Sequence, residues 1–375
     1  MLKKRLLFKK MKKSTFTIVI IYLIACTLIF PESSLNAAKD ALILCANILV
    51  PSLFPFFVFS SLLINIGFAT LISRPMQNVM RPLFGVSGKG ALCFVLGIIS
   101  GYPLGAKCVC DMYKQGALSK QEAQNLLAFC NNSGPLFIIG CIGASMYQNR
   151  QIGIILYIIH IISSVLVGVI LSFFIRRTNH FAQSDINISV SKPLAVIIKE
   201  AISGSVNNIL LVCGFTVIFS VVISSLKPFW GDGLLSLLTS GIIEISSGTK
   251  NIAVSALPLD MRLAITSALI GFGGISVYLQ VASFVSDTNL STAFYIVGKA
   301  LQALISLVIS LFVFKNISVQ VYADYFYPVR SYELIDFTAA IKLSCLYIAS
   351  TILVMVLFWL IEKMHLWHKR AKYKK

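Results

Sequence analysis

Charge is what this sequence has least of. Only 12% of its 375 residues are charged, and Asp and Glu together number 14; soluble domains carry about 25% charged residues. Mean hydropathy is +0.85, and several apolar runs approach or exceed the roughly 20 residues a spanning helix needs. A soluble globular domain is excluded, and the chain reads as an all-α polytopic membrane protein.

Catalytic signatures are missing too. There is no GxxxxGK[ST] phosphate loop, which excludes that kind of ATP-driven motor. There is no HExxH and no GxSxG nucleophile elbow. The nine cysteines form no CxxC pair and no Cys/His cluster of zinc spacing, so they read as small packing residues of membrane helices. No catalytic residue, metal or cofactor is expected, and any transport is passive or coupled to an ion gradient.

Positive charge is plentiful, at a net +18, but it is concentrated at the ends. Seven of the 32 Lys and Arg lie in residues 1–13 and six more follow Glu362. Basic ends flanking apolar spans predict cytoplasmic termini and suit an anionic leaflet. No folded basic face with base-reading residues is visible, so nucleic acid is not an expected partner. The lipid bilayer is, and a homo-oligomer is compatible with the pattern.

Apolar runs oriented by Lys and Arg give about eight crossings and two re-entrant hairpins. Residues 1–40 hold the basic N-terminus and a first span at 15–31, read as an uncleaved span rather than a signal peptide. Residues 41–178 form a first repeat: a span at 41–66, a hairpin at 91–107 too short to cross, a crossing at 127–146 broken by NNSGP (Asn131–Pro135), and a span at 152–175. The stretch 106–126 reads as polar and cytoplasmic, ending in a helix opened by a Ser119/Glu122 capping box. Residues 179–193 are a linker. Residues 194–318 form a second repeat: a span at 205–226, a hairpin at 234–250, a crossing at 264–285 broken by GFGG (Gly271–Gly274), and a span at 291–314. Residues 319–375 hold an external polar stretch, a last span at 341–362 and the basic C-terminus.

The repeat is visible in letters. NILVPSLF (Asn47–Phe54) parallels NILLVCGF (Asn208–Phe215), and GIISGYPLGAK (Gly97–Lys107) parallels GIIEISSGTK (Gly241–Lys250). The breaks at 131–135 and 271–276 then follow each lysine by about 21–28 residues. Charge orients the halves oppositely, so the repeat is inverted.

Non-helical backbone persists at membrane depth only if protein buries it or water lines it. Paired broken segments in inverted halves therefore point to a solute site at the midplane. Helix N-termini favour an anion, and Lys107 and Lys250 either add charge there or snorkel to water. Asn131, Asn132 and Ser133 either ligate the solute or cap a half-helix. Ser100, Ser246, Ser247, Thr249, Ser276 and Gln280 are expected as polar lining, with Tyr102 as an aromatic face or a packing residue. Glu244 is a candidate for ion coupling, with an ion pair to Lys250 as the alternative. His160 reads as a helix–helix hydrogen bond.

The strings NILVPSLFPFFVFSSLL, GIISGYPLGAK, LSKQEAQNLLAFCNNSGPLFIIG, GSVNNIL and SGTKNI resemble the YlbJ-type sporulation integral membrane proteins, of the wider nucleoside-recognition (Gate) group, over roughly residues 40–360. That resemblance implies a plan like that of concentrative nucleoside transporters and a role in endospore formation. It implies location in the outer forespore membrane, or otherwise the cell membrane, and transport of dipicolinic acid, a small anion. Two alternatives stand beside it: a nucleoside or other metabolite carrier, and a non-transporting scaffold of the spore envelope.

Overall fold

The computed structural model describes residue 17 and residues 20–175, 193–230 and 233–316. The linker expected at 179–193 lies almost wholly outside them, as do nearly all of the external stretch and the whole last span. Every regular element among the described residues is helical.

Helix α1 (Ile20–Ile29) bends by 104° into α2 (Pro31–Leu44). Pro31 suits the first turn of a helix, where no N–H is needed, and Glu32 faces the dipole there. The polar run PESSLNAAKD, between the spans expected at 15–31 and 41–66, is thus helix. A π turn (Cys45–Leu49) leads into α3 (Val50–Asn65). Gly67 then turns the chain by 85° into α4 (Phe68–Phe84), which sequence reading left unassigned. Its inner side buries Ala69, Met80 and Phe84, while Arg74 and Arg81 stay exposed. Such a helix suits the membrane surface. Phe84 stacks on Phe129 with ring centres 4.7 Å apart.

Next comes a helical hairpin, α5 (Ala91–Ser100) and α6 (Leu104–Lys114). Helix α7 (Lys120–Phe129) opens with the expected box: the Ser119 N–H donates to Glu122 Oε2 at 2.9 Å, and the Glu122 N–H donates to Ser119 Oγ at 3.3 Å. Residues 130–134 are not helical, and a π-helical segment (Leu136–Met146) follows. The stretch 106–126, expected as polar and ending in a helix, is helical over most of its length. Helix α6 and the turn after it bury Ala106, Cys108, Val109, Cys110, Met112, Ala117 and Leu118 in the main core. Helix α8 (Arg150–Ile175) closes this set.

The same order then recurs. Helix α9 (Leu194–Trp230) is followed by a hairpin of α10 (Leu234–Ile243) and α11 (Ile245–Ala253). A broken pair, α12 (Leu259–Phe272) and α13 (Gly274–Ser286), precedes α14 (Ala293–Asn316). Helix α12 packs along α14, α14 also lies on α7 and α8, and α13 lies on α6, α9 and α10. Elements of the two sets are interleaved.

Among the described residues, four helices are long and apolar enough to cross a membrane, or six if each bent pair is one span. Large apolar side chains such as Leu28, Leu71, Leu210 and Phe312 face outward, as lipid contact allows. The cysteines Cys26, Cys45, Cys93, Cys108, Cys110, Cys130 and Cys141 are buried and unpaired.

Candidate functional site

Each hairpin tip is pressed against a helix break. At the first, Gly101 carries φ +93° and ψ 179°, a region open essentially to glycine alone. A Cβ there would stand 2.7 Å from the Gly134 nitrogen. Both arms also close on one carbonyl: a Cβ on Gly97 or Gly105 would lie 1.8 or 2.0 Å from Cys130 O. At the second tip, Gly274 (φ +84°) sits where a Cβ would meet Ile242 O and Ile243 O at 3.3 and 3.4 Å. The two sets also touch each other. The Tyr102 hydroxyl, on the first tip, donates to Ile270 O beside the second break at 2.9 Å.

Between these four pieces lies a hollow in which a water centre has about 60 Å³ to move, several times the ~10–15 Å³ one water needs. Ser100, Gly101 and Tyr102 line it from the first tip, and Ser133 and Gly134 from the first break. Glu244 and Ser246 come from the second tip, Ser276 and Gln280 from α13. Leu49, Leu53, Phe56, Val212 and Thr216 supply the remaining side. The Ser100 and Ser133 hydroxyls are buried with no hydrogen-bond partner among the described residues. Unused buried hydroxyls on a hollow are what a polar solute or water satisfies.

Glu244 is the one formal charge in the lining. It is 2% exposed and sits in extended conformation just before α11, where its carboxylate accepts from the Ser246 N–H (3.0 Å) and the Ser247 N–H (2.7 Å). A carboxylate cap on a helix N-terminus satisfies orphan donors and the dipole together. It also means that this N-terminus is already occupied by an anion of the protein's own. The alternative ion pair with Lys250 is not formed.

Other expected site residues lie elsewhere. Lys107 pairs with Asp111 one turn on, and Lys250 is exposed; neither lines the hollow. The Thr249 hydroxyl donates within α11 to Ile245 O and Ser246 O. Ser247 contributes its backbone N–H to Glu244. Asn131 accepts from the Ala106 N–H at 3.4 Å and donates to the Tyr295 hydroxyl at 3.3 Å, tying the break to the hairpin. Asn132 donates to Phe129 O (2.8 Å) and Ser164 Oγ (3.0 Å). Both asparagines hold the break in place and stand outside the lining.

His160 accepts from the Ser133 N–H at 2.9 Å, so it holds the broken backbone as well as joining helices. Gln302 on α14 donates to Asn132 Oδ1 at 3.1 Å and to His160 O at 3.3 Å. It also accepts from the Lys299 ammonium at 2.7 Å. Lys299 is 1% exposed. Sequence reasoning missed it, although a lone charge well inside the apolar run 291–314 is a signal by itself.

Residues 47–177, from the π turn and α3 through the first hairpin and break to α8, match the family model of the Gate domain, described as nucleoside recognition. Beyond that match the chain is similar to a sporulation membrane protein. It is 28% identical, over a 355-residue alignment, to the sporulation integral membrane protein YlbJ of Bacillus subtilis (strain 168), covering 85% of this chain and 87% of that relative. No solved structure matches the chain. The Gate match contains the whole first tip and first break, but neither Glu244 nor Lys299.

Proposed function

We propose that this protein is a carrier, not an enzyme, and that it moves a small aromatic dicarboxylate, dipicolinic acid, across the outer forespore membrane during sporulation. The observation that carries the proposal is the hollow itself, a polar space enclosed among apolar helices. Both hairpin tips and both breaks contribute to it. Backbone of this kind is tolerated at membrane depth where it lines a cavity, and paired breaks mark solute sites in carriers. Kinship to a sporulation membrane protein supplies the cellular context. Both termini lie in the mother-cell cytoplasm on this reading.

Glu244 then has a role in coupling. An anion arriving about 5 Å from an ionised carboxylate is repelled by about 3 kcal/mol at an effective dielectric of about 20. A proton or metal cation entering with the solute cancels that term, so the hollow favours symport of anion with cation.

A nucleoside is the second reading. The Gate description and the neutral Ser, Tyr and Gln lining favour a solute that needs hydrogen bonds rather than charge. Uptake into proteoliposomes separates the two. Labelled dipicolinate should accumulate under an inward cation gradient, and labelled uridine should not. Uridine uptake alone selects the second reading; uptake of neither, from protein that is folded in the vesicles, favours a scaffold.

A further inference from the structure

Lys299 lies beside the first break because α14 is drawn tightly onto α7. A Cβ on its neighbour Gly298 would come within 2.1 Å of Ala128 O. Well inside the apolar helix and 1% exposed, the side chain does not snorkel to water. An ammonium has three donors. Here one goes to Gln302 Oε1, and the nitrogen stands 5.7 Å from the centre of the Tyr102 ring. No carboxylate among the described residues pairs with it. Glu244, the acid of the hollow, is instead held by the Ser246 and Ser247 N–H groups.

Buried charges are ordinarily paired, and a lysine held for packing alone is expensive inside a bilayer. Gln302 is itself fixed by Asn132 and His160, so the ammonium is aimed rather than free. Its aromatic neighbour, Tyr102, is a wall of the hollow, and Lys299 stands next to that wall residue, outside the lining itself. Ser133 also reaches that wall, with a buried and unused hydroxyl.

We infer that Lys299 is the cation that receives a carboxylate of the transported solute, in a subsite shared with Tyr102 and Ser133. The solute ring lies against Tyr102, a carboxylate oxygen takes the Ser133 hydroxyl, and the ammonium gains its counter-ion from the cargo. This rests on the anion-carrier reading and gives that reading the positive group which Lys107 and Lys250 do not supply.

Binding of two ligands to the full-length protein in nanodiscs tests it: dipicolinate, and its neutral diamide, pyridine-2,6-dicarboxamide. A charge-assisted contact is worth roughly 30-fold in affinity, so with the coupling cation saturating, which cancels the Glu244 repulsion, the wild type should bind dipicolinate about that much more tightly than the diamide. Lys299→Gln should lose this preference, weakening dipicolinate more than the diamide, and Lys299→Arg should keep more of it than Lys299→Gln. A Lys299→Gln protein that binds dipicolinate as the wild type does overturns the inference while leaving the carrier reading intact. Equal affinity of the wild type for both ligands overturns the inference without any variant. A folded wild type that binds no dipicolinate overturns the carrier reading, and the inference falls with it.

Discussion

Replacing Gly101 by alanine attacks the contact between hairpin tip and helix break on which the hollow depends. Two costs add. The backbone at φ +93° and ψ 179° penalises a side chain by about 1–3 kcal/mol. The new Cβ would also stand 2.7 Å from Gly134 N and 3.2 Å from Gly134 Cα. Both are backbone atoms and cannot rotate away, so regaining ordinary contact of about 3.5 Å moves the tip off the break by about 0.8 Å. Overpacking of that kind costs about another 1–3 kcal/mol. Unfolding entropy scales with chain length, and a total of about 2–6 kcal/mol corresponds to a melting point lower by about 3–8 °C for a chain this long. Ser100, Gly101 and Tyr102 move with the tip, so dipicolinate uptake should fall at least about tenfold, the effect of about 1.4 kcal/mol of lost alignment. Gly214→Ala is the control. No atom lies within 4 Å of its added Cβ, and alanine in mid-helix is favoured by about 0.5–1 kcal/mol. Thermal denaturation in detergent and proteoliposome uptake read both variants. If Gly101→Ala melts and transports like Gly214→Ala, the tip is not locked to the break and the hollow is not built as described.

Glu244→Gln keeps one acceptor for the Ser246 and Ser247 N–H groups but removes the charge. Uptake should lose its dependence on the cation gradient while solute exchange across the vesicle persists, and gradient-driven accumulation by the variant would refute the coupling role. Lys107→Ala removes a one-turn pair with Asp111, of the kind worth about 0.3–0.5 kcal/mol. Uptake by this variant, and by Lys250→Ala, should stay within twofold of wild type; abolished transport in either would move the solute path away from the hollow. Asn132→Ala removes the partner of Phe129 O, Ser164 and Gln302 from a buried site, at about 2–4 kcal/mol. It should lower the melting point more than Lys107→Ala does, and a neutral effect would show the break to be held by other bonds.

The breaks were legible because Gly, Pro and Asn interrupt apolar runs, and interruption inside a bilayer has few physical causes. Hence NNSGP and GFGG both mark non-helical backbone in the structure, and the hairpins at 91–107 and 234–250 turn where GIISGYP and GIIEISS do. Partners of single side chains were not legible. Asn131 and Asn132 advertise polarity at the first break, but whether that polarity faces a hollow or a neighbouring helix depends on α6, α8 and α14, which approach from far along the chain. Lys107 and Lys250 drew notice because they end matching strings. Position in a repeat carries no information about direction, and a lysine one turn before Asp111 finds that partner. The helical character of 31–40 and 106–114 was hidden for another reason. These segments are short and mixed in polarity, and a reading that sought long apolar spans passed over them, whereas α7 was announced by its Ser119/Glu122 capping box.

The deepest charges of the described fold are one acid and one base that do not pair. Glu244 is satisfied by backbone donors on the second hairpin, and Lys299, among the described residues, by the Gln302 amide oxygen and the ring of Tyr102. Had stability been the requirement, the two would be better replaced by apolar groups or joined, since separate buried charges each carry their own desolvation cost. On the proposed reading their separation leaves an anion's place beside the lysine, next to the wall residue Tyr102, and a cation's place beside the glutamate in the hollow. A solute bearing carboxylates, arriving with a cation, completes both pairs at once; neither arriving alone does. That is the electrostatic condition for coupled transport, and it does not require the two protein charges to move relative to each other.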